Sequence, residues 1–325
     1  MRTTLAIMLC LPLLIFGQGQ DKTFYVTQPA SAADLTAMAT AVRTVIGLQR
    51  ISTDYEHAAL VMQGPVDQLA AADWLLQQLD APLASKADYK TMSDAIAVMP
   101  MSASATVAEI TALTTVIRTV SDLQRLFPLE RQKALVGRGS PEKIASAEWM
   151  IQQLLPREGK PPAGDSAAYP SPIVATRSDG ENPIVRIFRM DPGTTNAQLT
   201  STVTAIRTVA DLQRLFPFQT DEAIVASGPP ERVAVAEWMV HELTLKSTAN
   251  ATHQTAIPGL MDGIVRLFFV PEQTDLTAMV MQIRASTGIR RTFPFNQPRA
   301  VVVRGRPDQV STAEALVAKF TGAER

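Results

Sequence analysis

Between Ile184 and Met190 the chain reads Ile-Val-Arg-Ile-Phe-Arg-Met, an alternation of apolar and polar residues that predicts a β-strand. Thr195-Asn196-Ala197-Gln198 follows as a capping box, with Thr195 at the cap and Gln198 reaching back to it. Leu199, Val203, Ile206 and Ala210 then recur at helical spacing and make one apolar stripe. The helix stops at Asp211, a residue type that tolerates the left-handed conformation a helix end requires. Leu212–Phe218 predicts a second strand, and the apolar Ala223–Ser227 a third, central one. Gly228-Pro229-Pro230-Glu231 turns the chain into a second helix, with Pro in its first turn and an acid near its positive end. Val233, Ala236, Val240 and Leu243 line that helix. The unit is β-α-β-β-α.

This unit occurs four times. Residues 117–129 and 206–218 are identical at eleven of thirteen positions. An Arg near the end of the first helix recurs as Arg43, Arg118, Arg207 and Arg284, and a second Arg follows seven residues later as Arg50, Arg125, Arg214 and Arg291. Gly64, Gly139, Gly228 and Gly305 each stand 21 residues after the first Arg, and Ala59, Ala134, Ala223 and Ala300 five before the Gly. The residue that ends the first helix is Gly47, Asp122, Asp211 or Gly288. An acid-aromatic pair, Asp73-Trp74, Glu148-Trp149 and Glu237-Trp238, becomes Glu314-Ala315 in the last copy. The fold class is therefore α+β: four tandem β-α-β-β-α modules, each a small three-stranded sheet covered by two helices.

The modules span 22–82, 94–157, 183–246 and 263–324. The segment 158–182, rich in Pro, Ala, Gly and Ser around Lys160–Pro172, is expected to be a flexible linker. A module of about 60 residues buries only about 60% of its unfolded surface, so packing on a neighbour would help it.

The order of elements, the run Ala59-Leu60-Val61-Met62-Gln63-Gly64 leading on to Leu79-Asp80, and Ala300-Val301-Val302-Val303-Arg304-Gly305 resemble the N-terminal domains of secretins. Those are KH-like, ring-building modules of outer-membrane channels in secretion systems and type IV pili. The resemblance covers all four repeats and implies periplasmic, ring-type modules. A secretin follows such modules with a channel-forming β-domain, which this sequence lacks, and the repeated Leu-Gln-Arg-Leu-Phe-Pro element departs from the secretin pattern.

The N-terminus adds a compartment. Arg2, the twelve apolar-rich residues Leu5–Phe16 and the small residues Gly17 and Gly19 form the three regions of a secretory signal peptide, 1–19. Leu9 precedes Cys10 where lipoprotein processing needs a small residue, and Pro12 breaks a run already too short to span a bilayer. An uncleaved anchor is the alternative reading. Cleavage leaves a periplasmic or secreted chain with no cysteine, and no further transmembrane segment is expected.

Composition narrows the chemistry. Of 325 residues, 46% are hydrophobic and 19% charged, and the formal net charge of −1 argues against a nucleic-acid partner. No Gly-x-x-Gly loop joins two helices, as RNA-binding KH modules require. His57, His241 and His253 do not recur at one repeat position. No metal, cofactor or catalytic residue is expected, and the chain reads as no enzyme. The repeated acids Asp73, Glu148, Glu237 and Glu314 fall one per module and suit structural pairing.

Two features are left as candidate interaction sites. The first is the Arg sets: Arg118, Arg125, Arg207, Arg214, Arg284 and Arg291 could line one edge and bind an anionic glycan. Their structural alternative is a cation at a helix C-terminus with its stem over apolar surface. The second is Trp74, Trp149 and Trp238, about 140° off the apolar stripe of the second helix. Interface use and partial burial within each module fit them equally.

Net charge runs from −3 over 22–80 to +3 over 263–324, which favours head-to-tail association with a second copy. The sequence thus suggests an exported protein that binds a protein partner, or itself, in the bacterial cell envelope.

Overall fold

The computed structural model describes residues 20–28, 30–81, 87–156, 167–168, 183–245 and 248–322. The expected signal peptide and most of the expected linker lie outside these residues. The chain divides into two compact units, Met1–Tyr89 and Lys90–Arg325.

The first unit holds the first module. Its elements are β1 (Gln20–Tyr25), α1 (Ala32–Ala41), β2 (Arg50–Asp54), β3 (Ala59–Gly64) and α2 (Val66–Asp80), and the sheet order is β1-β3-β2, all antiparallel. Ser31 and Asp34 form a capping box at α1, which widens into a π turn at Val42–Ile46 before Gly47 ends it at φ +86°. Leu60 and Met62 of β3 are buried on the helix side with Leu35, Val42, Leu69 and Leu76. The opposite face carries Thr23, Ser52 and Val61, and both Val61 and Tyr25 are exposed, at 41% and 63%.

The second unit holds the other three modules, apart from residues 87–89 at the start of the second. The second comprises β4 (Ala87–Lys90), β5 (Ala95–Pro100), α3 (Val107–Val120), β6 (Arg125–Leu129), β7 (Ala134–Gly139) and α4 (Pro141–Leu154). The third comprises β8 (Ala167–Ala168), β9 (Ile184–Arg189), α5 (Asn196–Val209), β10 (Arg214–Phe218), β11 (Ala223–Gly228) and α6 (Pro230–Thr244). The fourth comprises β12 (Thr252–Ala256), β13 (Ile264–Phe269), α7 (Leu276–Thr287), β14 (Arg291–Phe295), β15 (Ala300–Gly305) and α8 (Pro307–Thr321). Thr106–Glu109 and Thr195–Gln198 are capping boxes, and Asp122, Asp211 and Gly288 take φ of +53°, +56° and +71° at the helix ends.

One expectation needs correction. These three sheets have four strands each, in the orders β4-β5-β7-β6, β8-β9-β11-β10 and β12-β13-β15-β14. The extra strand comes from the segment before each module, including Ala168 and its neighbour inside the expected linker, and it satisfies the open edge of the first core strand.

In this unit the modules interlock. Helix α3 packs across β10 and β11, and α5 packs across β14 and β15. One apolar core therefore joins Leu113, Val116 and Val120 to Val185, Ile187, Phe218 and Val225 of the third module. A second core joins Ile206 and Val209 to Val265, Leu267, Phe295 and Val302 of the fourth. Strand β11 is buried on both faces because Ile224 and Ala226 face its own helices, while Ala223 and Val225 join the core shared with α3. Full burial of each large side chain at such a joint is worth about 1.5–3 kcal/mol.

Candidate functional site

The first Arg of every repeat does the same thing. Its Nη2 donates to a backbone carbonyl eight residues on, in the strand at the sheet edge: Arg43 to Ile51 at 2.6 Å, Arg118 to Leu126, Arg207 to Leu215 at 2.6 Å and Arg284 to Thr292 at 2.9 Å. The guanidinium ties the end of the first helix to that strand, and its charge lies where helix carbonyls favour a cation.

The second Arg stands at the start of the same edge strand. Arg50 donates to Gln63 Oε1 at 2.7 Å. Arg291 reaches Asp211 Oδ2 of the preceding module at 3.5 Å, where Arg232 also arrives at 3.3 Å. Asp122 is placed the same way. Burial pushes its carboxyl up, but Lys143 at 3.2 Å, Gln124 and the charges of Lys143 and Arg214 outweigh that and hold it below the ordinary value. An Asp at a left-handed helix end thus meets the second Arg of the next module, Asp211 as an ion pair with Arg291 and Asp122 through the longer-range charge of Arg214.

Arg125 and Arg291 also stand directly across the sheet from another Arg, Arg138 and Arg304. Each pair lines a groove beside the start of the second helix, of about 580 Å³ in the second module and about 470 Å³ in the fourth. Arg304 is only 4% exposed and spends all three nitrogens: Nε to Asp262 O at 3.1 Å, Nη2 to Asp262 Oδ1 at 3.1 Å and Nη1 to Val209 O of the third module at 3.0 Å. Burial raises the Asp262 carboxyl, but the Arg304 guanidinium and the charge of Arg291 bring it below its usual range. The signal for Arg304 was present as a lone cation in an apolar central strand. Its partners lie 42 and 95 residues away and had none.

Three of the four repeated acids pair with a cation on the first core strand. Asp73 meets Lys22 at 2.9 Å, Glu237 meets Arg186 at 2.6 Å, and Glu314 meets Arg266. The Trp residues are half-buried. Trp149 and Trp238 pack against the shared cores, and Trp74 lies on Tyr89 with ring centroids 5.4 Å apart. Ala315, at the same repeat position, is exposed. The structure thus distributes the repeated Arg and Trp residues over the modules and does not gather them into one cleft. Among the described residues, no His, Cys, Asp and Glu cluster could hold a metal ion, and no helix is long and apolar enough to cross a membrane.

No protein-family model matches the sequence, and no curated protein matches it. Among solved structures, a protein of unknown function from Aeropyrum pernix is similar at 12% identity, over 42% of this chain and 82% of that one, with TM-score 0.23. ExeD of Aeromonas hydrophila is similar at 13% identity and TM-score 0.17, over 89% of this chain and 59% of that one. The secretin GspD, from the ETEC pilotin–secretin complex AspS–GspD, is similar at 12% identity and TM-score 0.17, over 88% and 58%. The chain therefore spans less than two thirds of either secretin. The description as an α+β array of repeated modules stands on this chain's own elements.

Proposed function

We propose that the protein is an exported, non-catalytic array of α+β modules that docks a protein partner in the bacterial cell envelope, beside a secretion or pilus machine. One observation carries the reading. Twice within the second unit, the first helix of a module lies across the sheet of the next, so these modules are shaped to recognise one another's kind. Helix α7 is the corresponding helix of the fourth module, and its Gln282 and Ser286, at the positions of the buried Val116 and Val120, are exposed. The partner this surface suits is a sheet face of similar build. The signal-peptide pattern and the secretin-like repeats support the envelope setting.

A second copy is the less suited partner. Positions that are buried as Val116 and Ala205, or as Val120 and Val209, become exposed Gln282 and Ser286 on α7. The sheet face of the first module carries Thr23 and Ser52 where the third carries Ile187 and Phe216. Two polar surfaces make a poor permanent contact. The glycan reading is weakened because the first Arg of each repeat is committed to a carbonyl.

A photoreactive amino acid at Gln282, introduced in the protein expressed in its own envelope, tests the proposal. It should give one discrete cross-linked species of higher mass, whereas a probe at Met92, exposed on the second module, should give none. No product at Gln282, or equal smears from both positions, removes the reading. The mass of the product separates a second copy from another protein.

A further inference from the structure

The grooves of the second and fourth modules are built alike but charged differently. In the second, Arg125, Arg138 and Lys143 are matched by Asp94, Asp122 and Glu142. Arg138 bonds Asp94 at 3.1 Å and Lys143 bonds Asp122 at 3.2 Å. In the fourth, Arg290, Arg291, Arg304 and Arg306 line the groove together with a single acid, Asp262.

Asp262 answers Arg304, and Asp308 answers Arg306 at 3.3 Å. Asp211 is shared by Arg291 and Arg232. Counting Arg232, five guanidiniums face three carboxylates, so two positive charges are unmatched. The position that carries Asp122 and Asp211 in the preceding modules is Gly288 here. Arg291 and Arg304 stand directly opposite on adjacent strands, where like charges repel. Nη1 of Arg291 is buried and has no hydrogen-bond partner. A buried donor left unpaired is costly. A ligand that brings two negative charges and several acceptor oxygens would answer the unmatched charge and relieve the repulsion, and a guanidinium fork fits a phosphoryl group in two-point geometry.

We propose that the groove of the fourth module, between Gly288, Arg290, Arg291 and Arg306, is a binding site for a phosphoryl dianion. Arg290 and Arg291 supply the charge, the Asp262–Arg304 pair forms the floor, and the absence of a side chain at Gly288 leaves the entrance open. The group can arrive on a small molecule or as the head group of a lipid.

The test titrates the protein at low ionic strength with inorganic phosphate and with pyrophosphate, followed by amide NMR. In a parallel arm, the protein is mixed with phosphatidic acid–phosphatidylcholine vesicles, whose phosphomonoester can carry two charges, and with pure phosphatidylcholine vesicles. Saturable shifts confined to 288–291 and 305–309 are expected for the small anions. Binding to the phosphatidic acid vesicles alone would assign the group to a lipid. The R290A/R291A variant should weaken binding about tenfold or more, by about 1.4 kcal/mol or more. The second variant, G288D, restores the carboxylate of the other modules. Its positive φ is one that Asp122 and Asp211 already adopt, and an added Cβ comes only within 3.9 Å of Gln309, so it should fold and bind equally weakly. R125A in the second module should bind like the parent. No saturable binding in either arm, or equal losses from R125A and R290A/R291A, overturns the proposal.

Discussion

At the scale of the residue, one backbone conformation organises each joint. Asp211 sits at φ +56°, a region that costs most L-residues about 1–2 kcal/mol and that Asp enters more readily through local hydrogen bonding. Its carboxylate then serves Arg232 and Arg291. The two roles separate by substitution. D211G keeps the backbone and loses only the ion pairs, which are partly exposed and worth a few tenths to about 1 kcal/mol. D211A loses the pairs and adds the left-handed strain, so it should be the less stable of the two by about 1 kcal/mol in urea melts. Equal stabilities would show that the φ carries no cost here. Asp80 plays a comparable part in the first module. Its two oxygens accept from the Thr27 and Gln28 amides at 2.9–3.0 Å and from the Thr27 hydroxyl at 2.6 Å. Burial raises its carboxyl, but these bonds prevail and hold it below the ordinary value. A depressed folded-state value contributes stability that is complete above about pH 4 and is lost as pH falls through the folded value. D80N should therefore cost about 1–3 kcal/mol near neutral pH. Its deficit should shrink on acidification, and a deficit constant from pH 7 into acid would contradict this assignment.

At the scale of the element, burial on two faces explains why the third core strand of the third and fourth modules reads as a largely apolar run. Ala223–Gly228 and Ala300–Gly305 are buried along their whole length, since one face meets the module's own helices and the other joins the core of the module before. That run, the helical stripe of Leu199, Val203 and Ile206, and the Gly or Asp at each helix end made the β-α-β-β-α order legible in the sequence. The added strands were not legible. Thr252–Ala256 is polar and half-exposed and joins its sheet through backbone pairing, which needs no particular side chain. The role of the first Arg was hidden for the same reason, because its partner is a main-chain carbonyl. Arg291 and Arg304 find partners in a neighbouring module, and no local spacing reports those. Pairing of the repeated acids with a cation was anticipated, and the strand residues Lys22, Arg186 and Arg266 that provide it were not.

At the scale of the whole molecule, the second unit behaves as an array in which the polarity of each first helix follows whether a sheet of the same chain covers it permanently. Val116 with Val120, and Ala205 with Val209, are buried in helices that carry the sheet of a next module. The corresponding residues of α7, Gln282 and Ser286, face solvent. Such polarity keeps an uncovered helix face soluble and suits α7 to a contact that forms and breaks rather than a permanent one. The rule can be transplanted. A chain stopped after residue 246 loses β13 to β15 and bares Ala205 and Val209, so it should associate at concentrations where the parent does not. Placing A205Q and V209S in that shortened chain should return it to a monomer by light scattering. The same two substitutions in the full chain bury polar groups at the joint and should destabilise it by about 1–3 kcal/mol each in denaturant titrations. The opposite signs are the test. Improvement in both contexts would mean that these positions merely prefer polar residues, and harm in both would mean that they serve the third module's own core and do not mark where the array ends.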